Sequence, residues 1–299
     1  MIKIAWHPFY NHPVNEGHRF PMEKYDLLPL QLKHEGLFNE DNFFVPEMAM
    51  FEDICLAHEP EYVRNFCLLN IHEKDARKTG FIHNTDLVKR ELLIMGASIQ
   101  CALYALKNGV SLNIAGGTHH AFSNRGEGFC MLNDFAIAAR YLINNNYCKK
   151  ILIIDLDVHQ GNGTAEIFKD DPSVFTFSIH GEKNYPIQKE KSNLDIEIKD
   201  GTGDAEYLEI LHNQLDLIKT SFSPDFVFFQ SGVDVLQSDK LGRMNLSIEG
   251  CKLRDRMVFE FCKKMGKPLA VAMGGGYSPQ IKHIIEAHTN TFKEALNIV

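Results

Sequence analysis

The sequence predicts an α/β fold, a single-domain, mostly parallel sheet with helices on both faces that spans residues 1–299. Three observations lead there. Short apolar runs recur along the chain without polar alternation, the pattern of strands buried on both faces. Longer segments between them carry apolar residues at helical spacing. No Pro/Ser/Gly-rich linker, internal repeat or low-complexity tract marks a boundary, and α/β folds of this length often form one domain.

In chain order the strand candidates are 2–5, 111–115, 151–156, 174–179, 226–230 and 269–273. Segment 86–108 keeps a stripe of Val88, Leu92, Met95, Ile99, Leu103 and Leu106 and closes at Gly109, a helix with a glycine stop. Segment 247–265 starts at Ser247, whose hydroxyl suits an N-cap, and repeats Leu253, Met257, Phe261 and Met265 before Gly266 and Pro268 end it. Ser278-Pro279 opens a final helix toward 297. Strands separated by helices imply a parallel sheet covered on each side.

Composition narrows the function. The start, Met-Ile-Lys-Ile-Ala-Trp, lacks a basic n-region and apolar h-region, so no ordinary secretory signal is expected. No stretch approaches the ~18 apolar residues of a membrane span. Seven cysteines, odd in number, scattered and without a CxxC pair, fit reduced thiols in a cytoplasmic protein. A net charge of −8 argues against direct nucleic-acid binding. It favours cationic partners near the surface, although solubility alone accounts for it.

The chemistry concentrates at Asp155-Leu156-Asp157-Val158-His159-Gln160-Gly161-Asn162-Gly163, directly after an apolar run. In extended backbone, side chains alternate faces, so Asp157 and His159 point the same way and can grip one divalent metal. Asp234, just past the run Phe226 to Phe229, is the natural third ligand. Three protein ligands with one position left for water is the catalytic rather than structural zinc pattern. Alone, the pair also reads as a capping Asp beside a satisfied core histidine; the surrounding residues decide between these. Gly116-Gly117-Thr118-His119-His120 brings two imidazoles, and a histidine beside a metal suits a general base and acid. Asp155 and Asn162 are candidate partners for their second ring nitrogens. Gly274-Gly275-Gly276 lets backbone approach a ligand, and Tyr277 can then donate to a developing oxyanion. Every one of these groups follows a strand candidate's carboxyl end, where open parallel sheets build active sites. Metal, base and oxyanion donor together describe amide hydrolysis.

These motifs resemble the zinc-dependent histone deacetylase family, within the arginase/deacetylase fold. The resemblance is carried by Gly116 to His120, Arg125-Gly126-Glu127-Gly128-Phe129-Cys130, Asp155 to Thr164, Ser231-Gly232-Val233-Asp234 and Gly274 to Tyr277. Gln160, Asn162, Asp239-Lys240-Leu241-Gly242 and Gly17-His18-Arg19-Phe20-Pro21-Met22-Glu23-Lys24-Tyr25 look closest to class IV and related bacterial members. The resemblance implies a zinc- or ferrous-iron-dependent enzyme that removes acetyl or longer acyl groups from lysine side chains of a protein or peptide. It makes Asp157, His159 and Asp234 the metal ligands and His120 the base and acid. His119 becomes an electrostatic partner buttressed by Asp155, and Tyr277 the group that polarises the carbonyl. Gly128, Phe129, Tyr185, Leu241 and Gly275 would form the substrate tunnel, with the Gly128 carbonyl accepting the substrate amide N–H. It also implies a structural potassium ion held by Asp155, Ser178 and the backbones of Asp157, His159 and Ile179. Asn162 departs from the best-known members, where Asp often stands; a neutral amide orients imidazole without stabilising its charge, so His120 is expected to be the less basic of the pair. An apolar mouth, with the class IV likeness, leads to the expectation that long acyl chains match or exceed acetyl in kcat/KM.

Three rival functions are weaker. A two-manganese ureohydrolase needs carboxylates where this chain has Gly161 and Gly232. Acetylpolyamine deacetylases carry an acidic gatekeeper where Leu241 stands. A catalytically dead scaffold would have lost a ligand or the tyrosine, and all are present.

Overall fold

The computed structural model describes residues 1–297. Eight strands, β1 (Lys3–Ala5), β2 (Phe43–Phe44), β3 (Val110–Asn113), β4 (Ile151–Asp155), β5 (Val174–Gly181), β6 (Leu194–Ile198), β7 (Phe226–Gln230) and β8 (Leu269–Ala272), form one sheet. The order is β2-β1-β3-β8-β7-β4-β5-β6, and every pairing is parallel. Parallel neighbours need long crossovers, which the helices supply. Helices Lys24–His34, Ile281–Leu296, Ile248–Met265 and Asp204–Ser221 pack on one another in that sequence; Thr85–Asn108, Asp134–Asn144 and Asn162–Phe168 form a second group.

The core lies where the apolar runs put it. All residues of β3, β4, β7 and β8 are buried, with Phe226, Phe228 and Phe229 fully enclosed. Each such side chain contributes about 1.5–3 kcal/mol on burial. Ser247 caps Ile248–Met265 by accepting the Gly250 N–H at 2.9 Å, and Gly266 ends it in a left-handed conformation. Asn84 caps the helix that Gly109 closes.

Several boundaries differ from the sequence reading. Strand β3 starts one residue early and stops at Asn113, β4 stops at Asp155, β5 continues to Gly181 and β8 stops at Ala272. The edge strands β2 and β6 are additions. Strand β6, Leu194-Asp195-Ile196-Glu197-Ile198, buries only Ile198, so its acidic alternation hid it. Ser278-Pro279 precedes the last helix rather than opening it: Gln280 is the cap and its N–H donates to Ser278 Oγ at 3.3 Å. Among the described residues no helix is long and apolar enough to cross a membrane.

Candidate active site

Four adjacent central strands, β3, β8, β7 and β4, release their chains at the same edge, and the predicted site residues meet there. After Asp155 the backbone leaves the sheet. Asp157 and His159 therefore do not share a face of extended chain. Instead the Asp157 carboxylate folds over its own loop: Oδ1 accepts the His159 N–H at 3.0 Å, and Oδ2 accepts the Gly275 N–H at 2.9 Å. Asp234 Oδ1 accepts the Val158 N–H at 2.9 Å, tying the two ligand loops together. His159 Nδ1 then sits 3.1 Å from Asp157 Oδ1 and 3.1 Å from Asp234 Oδ2.

This triangle fits a divalent metal. Ligand bonds of about 2.0–2.1 Å in a tetrahedron put donor atoms about 3.3 Å apart, close to the spacing observed. The three side chains are buried and offer two carboxylates and one imidazole within 4.8 Å of one another. The electrostatics agree. Burial, then the neighbouring Asp157 charge, pushes the Asp234 carboxyl up to about 7. Burial opposes charge on His159, but hydrogen bonds to Asp157 and Asp234 outweigh it and raise its pKa to about 10. The cluster thus favours positive charge at its centre, which a cation supplies directly.

The paired histidines differ in their partners. His119 Nδ1 lies 2.7 Å from Asp155 Oδ2, whereas His120 Nδ1 lies 2.6 Å from Asn162 Oδ1; the rings stand 4.0 Å apart. Burial opposes charge on His119, but Asp155 and Asp157 outweigh it and raise its pKa. Burial, then the charges of His119 and His159, holds His120 well below the ordinary histidine value. Tyr277 is fixed by its backbone, whose N–H donates to Asp239 Oδ2 at 2.6 Å. Burial and the nearby carboxylates keep its phenol protonated far above neutral pH.

A tunnel of about 400 Å³ leads to these groups, with His120, His159 and Tyr277 at its base and Gly128, Phe129, Tyr185 and Leu241 among its walls. At Gly128, φ is +51° and a Cβ would stand 2.7 Å from the His120 ring, so only glycine fits. Its carbonyl accepts the Cys130 thiol at 3.4 Å. Tyr185 meets the His120 ring edge-on at 4.9 Å, and its hydroxyl donates to Glu127 at 2.7 Å. Gly275 departs from the expectation that it belongs to the tunnel wall: it lies at the floor, clamping Asp157, and a Cβ there would stand 2.1 Å from Asp234 Oδ2. Behind His120 and Tyr277 lies a second cavity of about 30 Å³, room for a couple of waters. Ser178 pairs in register with Asp155 across β5 and β4 and contacts His180 Nδ1 at 2.9 Å, with Ile179 next along β5.

The histone deacetylase domain matches residues 18–292. The chain belongs to the histone deacetylase family. It is 40% identical over 295 residues to an uncharacterized protein of Picosynechococcus sp., covering 99% of this chain and 98% of that one. Histone deacetylase 2 of Arabidopsis thaliana is 30% identical over 91% of this chain and 73% of its own length. The crystal structure of an HDAC homolog from Aquifex aeolicus superposes with a TM-score of 0.86 at 25% identity, covering 100% of this chain and 84% of that one. With the family come the arginase/deacetylase fold and the deacetylase class of hydrolase.

Within this deacetylase-family site, sequence reading missed the supports. Asp239 accepts three backbone N–H groups, from Leu241, Gly242 and Tyr277. Its Asp-Lys-Leu-Gly motif was visible in the sequence, but its reach to Tyr277 was not. Lys24, buried, donates from Nζ to the Gly274 carbonyl at 2.9 Å. Arg254, also fully buried, donates to the carbonyls of Leu156, Gly232 and Ser231, bracing both ligand loops from below. Lys24 stands in the Gly17 to Tyr25 motif without its reach to Gly274 being visible there, and an arginine in an apolar helix pattern reads as a snorkelling surface residue.

Proposed function

We propose that this chain is a single catalytic unit that hydrolyses short acyl amides, acetyl foremost, on lysine side chains of peptide or protein substrates. The observation that carries this reading is the meeting of the Asp157–His159–Asp234 triangle, a neutral His120 and the Tyr277 hydroxyl at the base of one narrow tunnel. Asp157, His159 and Asp234 would hold zinc, or ferrous iron given two oxygen donors. A divalent cation there would supply Lewis-acid activation of the amide carbonyl and of a water molecule.

The protein groups do the rest. His120 directs Nδ1 at the Asn162 amide oxygen, so that nitrogen carries the proton and Nε2 is free to accept one. It takes a proton from the attacking water and returns it to the departing lysine nitrogen. His119, paired with Asp155, is the ring whose neighbouring carboxylates favour positive charge beside the reaction. Tyr277 donates a hydrogen bond from its hydroxyl to the oxyanion as the carbonyl becomes tetrahedral and keeps its proton. The Gly128 carbonyl, with a second lone pair beyond its thiol contact, accepts the substrate amide N–H. Phe129, Tyr185 and Leu241 line the lysine's methylene stem.

The sequence leads to the expectation that longer acyl chains match or exceed acetyl in kcat/KM, whereas the small cavity behind His120 and Tyr277, about 30 Å³, favours short chains. A structural potassium ion remains part of the proposal, at Asp155, Ser178 and the backbones of Asp157, His159 and Ile179; the register of Asp155 with Ser178 supports it. Seven free cysteines support a reducing, cytoplasmic setting. The test is a panel of acyl-lysine peptides and acetylpolyamines, assayed with and without a chelator. Chelator-sensitive release of acetate from peptides supports the reading; turnover of polyamines alone overturns it.

A further inference from the structure

Five cationic side chains, Arg19, Arg77, Lys78, Lys183 and Arg243, line the tunnel, and among the described residues no Asp or Glu does. This reverses the sign of the whole chain, whose 39 acidic residues outnumber 31 basic ones. The cations arrive from four separate segments, so a single charged run does not explain them. Local structure brings them in. Phe129 N–H donates to Thr79 O and Gly128 N–H to Lys78 O, which seats Arg77 and Lys78 beside the tunnel wall. Asn184 donates to Leu241 O at 2.7 Å, which draws Lys183 and Arg243 to the opposite side. Arg77 and Lys78 also suit the end of their own helix; Arg19, Lys183 and Arg243 have no such reason.

Their partners neutralise them only in part, three carboxylates against five cations. Arg77 pairs with Glu73 and Lys78 with Asp75 at 2.8 Å, while Lys183 and Arg243 share Asp200 at 3.9 and 3.3 Å. Among the described residues Arg19 makes no ion pair; its guanidinium lies 6.0 Å from the Phe129 ring centroid. Exposed pairs of this kind are weak and exchange readily for another carboxylate. A low-dielectric cleft ringed by one sign of charge attracts the opposite sign.

We infer that the tunnel mouth selects acetyl-lysine within acidic segments, with aspartates or glutamates flanking the modified lysine contacting Arg19, Lys183 and Arg243. The inference rests on the deacylase reading and sharpens it. It also disfavours polycationic substrates, free acetylpolyamines included.

Two peptides test it, each with one central acetyl-lysine, flanked in one by aspartates and in the other by lysines. Binding is followed by fluorescence anisotropy and hydrolysis by acetate release, at low and high salt. The acidic peptide should bind about tenfold tighter at low salt, with the ratio shrinking as the Debye length falls from about 10 Å to about 3 Å. Arg19→Gln with Arg243→Gln should narrow the ratio; because two peptides are compared on one sample, any unfolded fraction cancels. Equal binding, a preference for the basic peptide, or a ratio unchanged in the double variant overturns the inference. Tighter binding of the acidic peptide without hydrolysis of either upholds the anion-binding rim and removes the deacylase reading instead.

Discussion

Asn162 Oδ1 stands 2.6 Å from His120 Nδ1, while the equivalent contact of His119 is to the Asp155 carboxylate at 2.7 Å. One imidazole is oriented by a neutral group and the other by a charge, although they are neighbours in sequence. The first favours a neutral ring free to accept a proton; the second favours the charged form.

Asn162→Asp should therefore raise the pKa of His120, because a carboxylate favours the imidazolium that burial, His119 and His159 now disfavour. The base works only when neutral, so the acidic limb of the kcat/KM profile moves to higher pH and activity at mildly acidic pH falls. A pH–rate profile that does not move would assign the limb to another group.

Tyr277→Phe removes a donor aimed at the developing oxyanion while preserving the ring packing on Phe20 and Phe129. Loss of such a donor costs on the order of 10²–10³ in rate. The fall should appear in kcat with little change in KM; steady-state kinetics showing only a raised KM would make Tyr277 a binding residue.

Asp234→Asn removes one carboxylate of the triangle and weakens the bond to Val158 N–H less than it weakens metal capture. Metal content measured after gel filtration should drop sharply, and deacylation with it, while the far-UV spectrum stays unchanged. Retention of both metal and activity would refute the ligand assignment.

Gly275→Ala places a methyl group 2.1 Å from Asp234 Oδ2 and 2.8 Å from Asp157 Oδ2. Both carboxylates must move, so metal retention should fall together with activity, and overpacking should cost about 1–3 kcal/mol of stability. Metal analysis and thermal melting check the two effects separately; an active, metal-replete Ala variant would show that the floor can yield.

The cavity of about 30 Å³ behind Tyr277 favours short acyl groups. In one peptide carrying acetyl, octanoyl or myristoyl lysine, kcat/KM should fall steadily with length. A rise toward myristoyl would mean that the floor opens on binding and would restore the long-chain expectation.

The sequence made the ligands legible because their chemistry sits in short motifs: Asp157-Val158-His159 declares two donors within three residues. It also exposed the six inner strands, whose apolar runs need no partner to be recognised. Strand β6 escaped because its alternating acids suit a half-exposed edge. The geometry of the ligand loop escaped as well: extended alternation puts Asp157 and His159 on one side, yet a bent loop closed by Asp157 on the His159 N–H does so in fact. What could not be read were roles created by contact across long separations. Lys24 finds Gly274 after 250 residues, and Asp239 finds Tyr277 after 38. The basic rim is the same case, since Arg19, Lys183 and Arg243 meet only in space.

The three N–H groups gathered by Asp239 belong to the wall residue Leu241, to Gly242 beside it and to Tyr277 at the tunnel base. One carboxylate thus ties the tunnel wall at Leu241 to the loop that carries Tyr277. A substitution at Asp239 would therefore loosen the entrance and the floor together, however far apart their tasks.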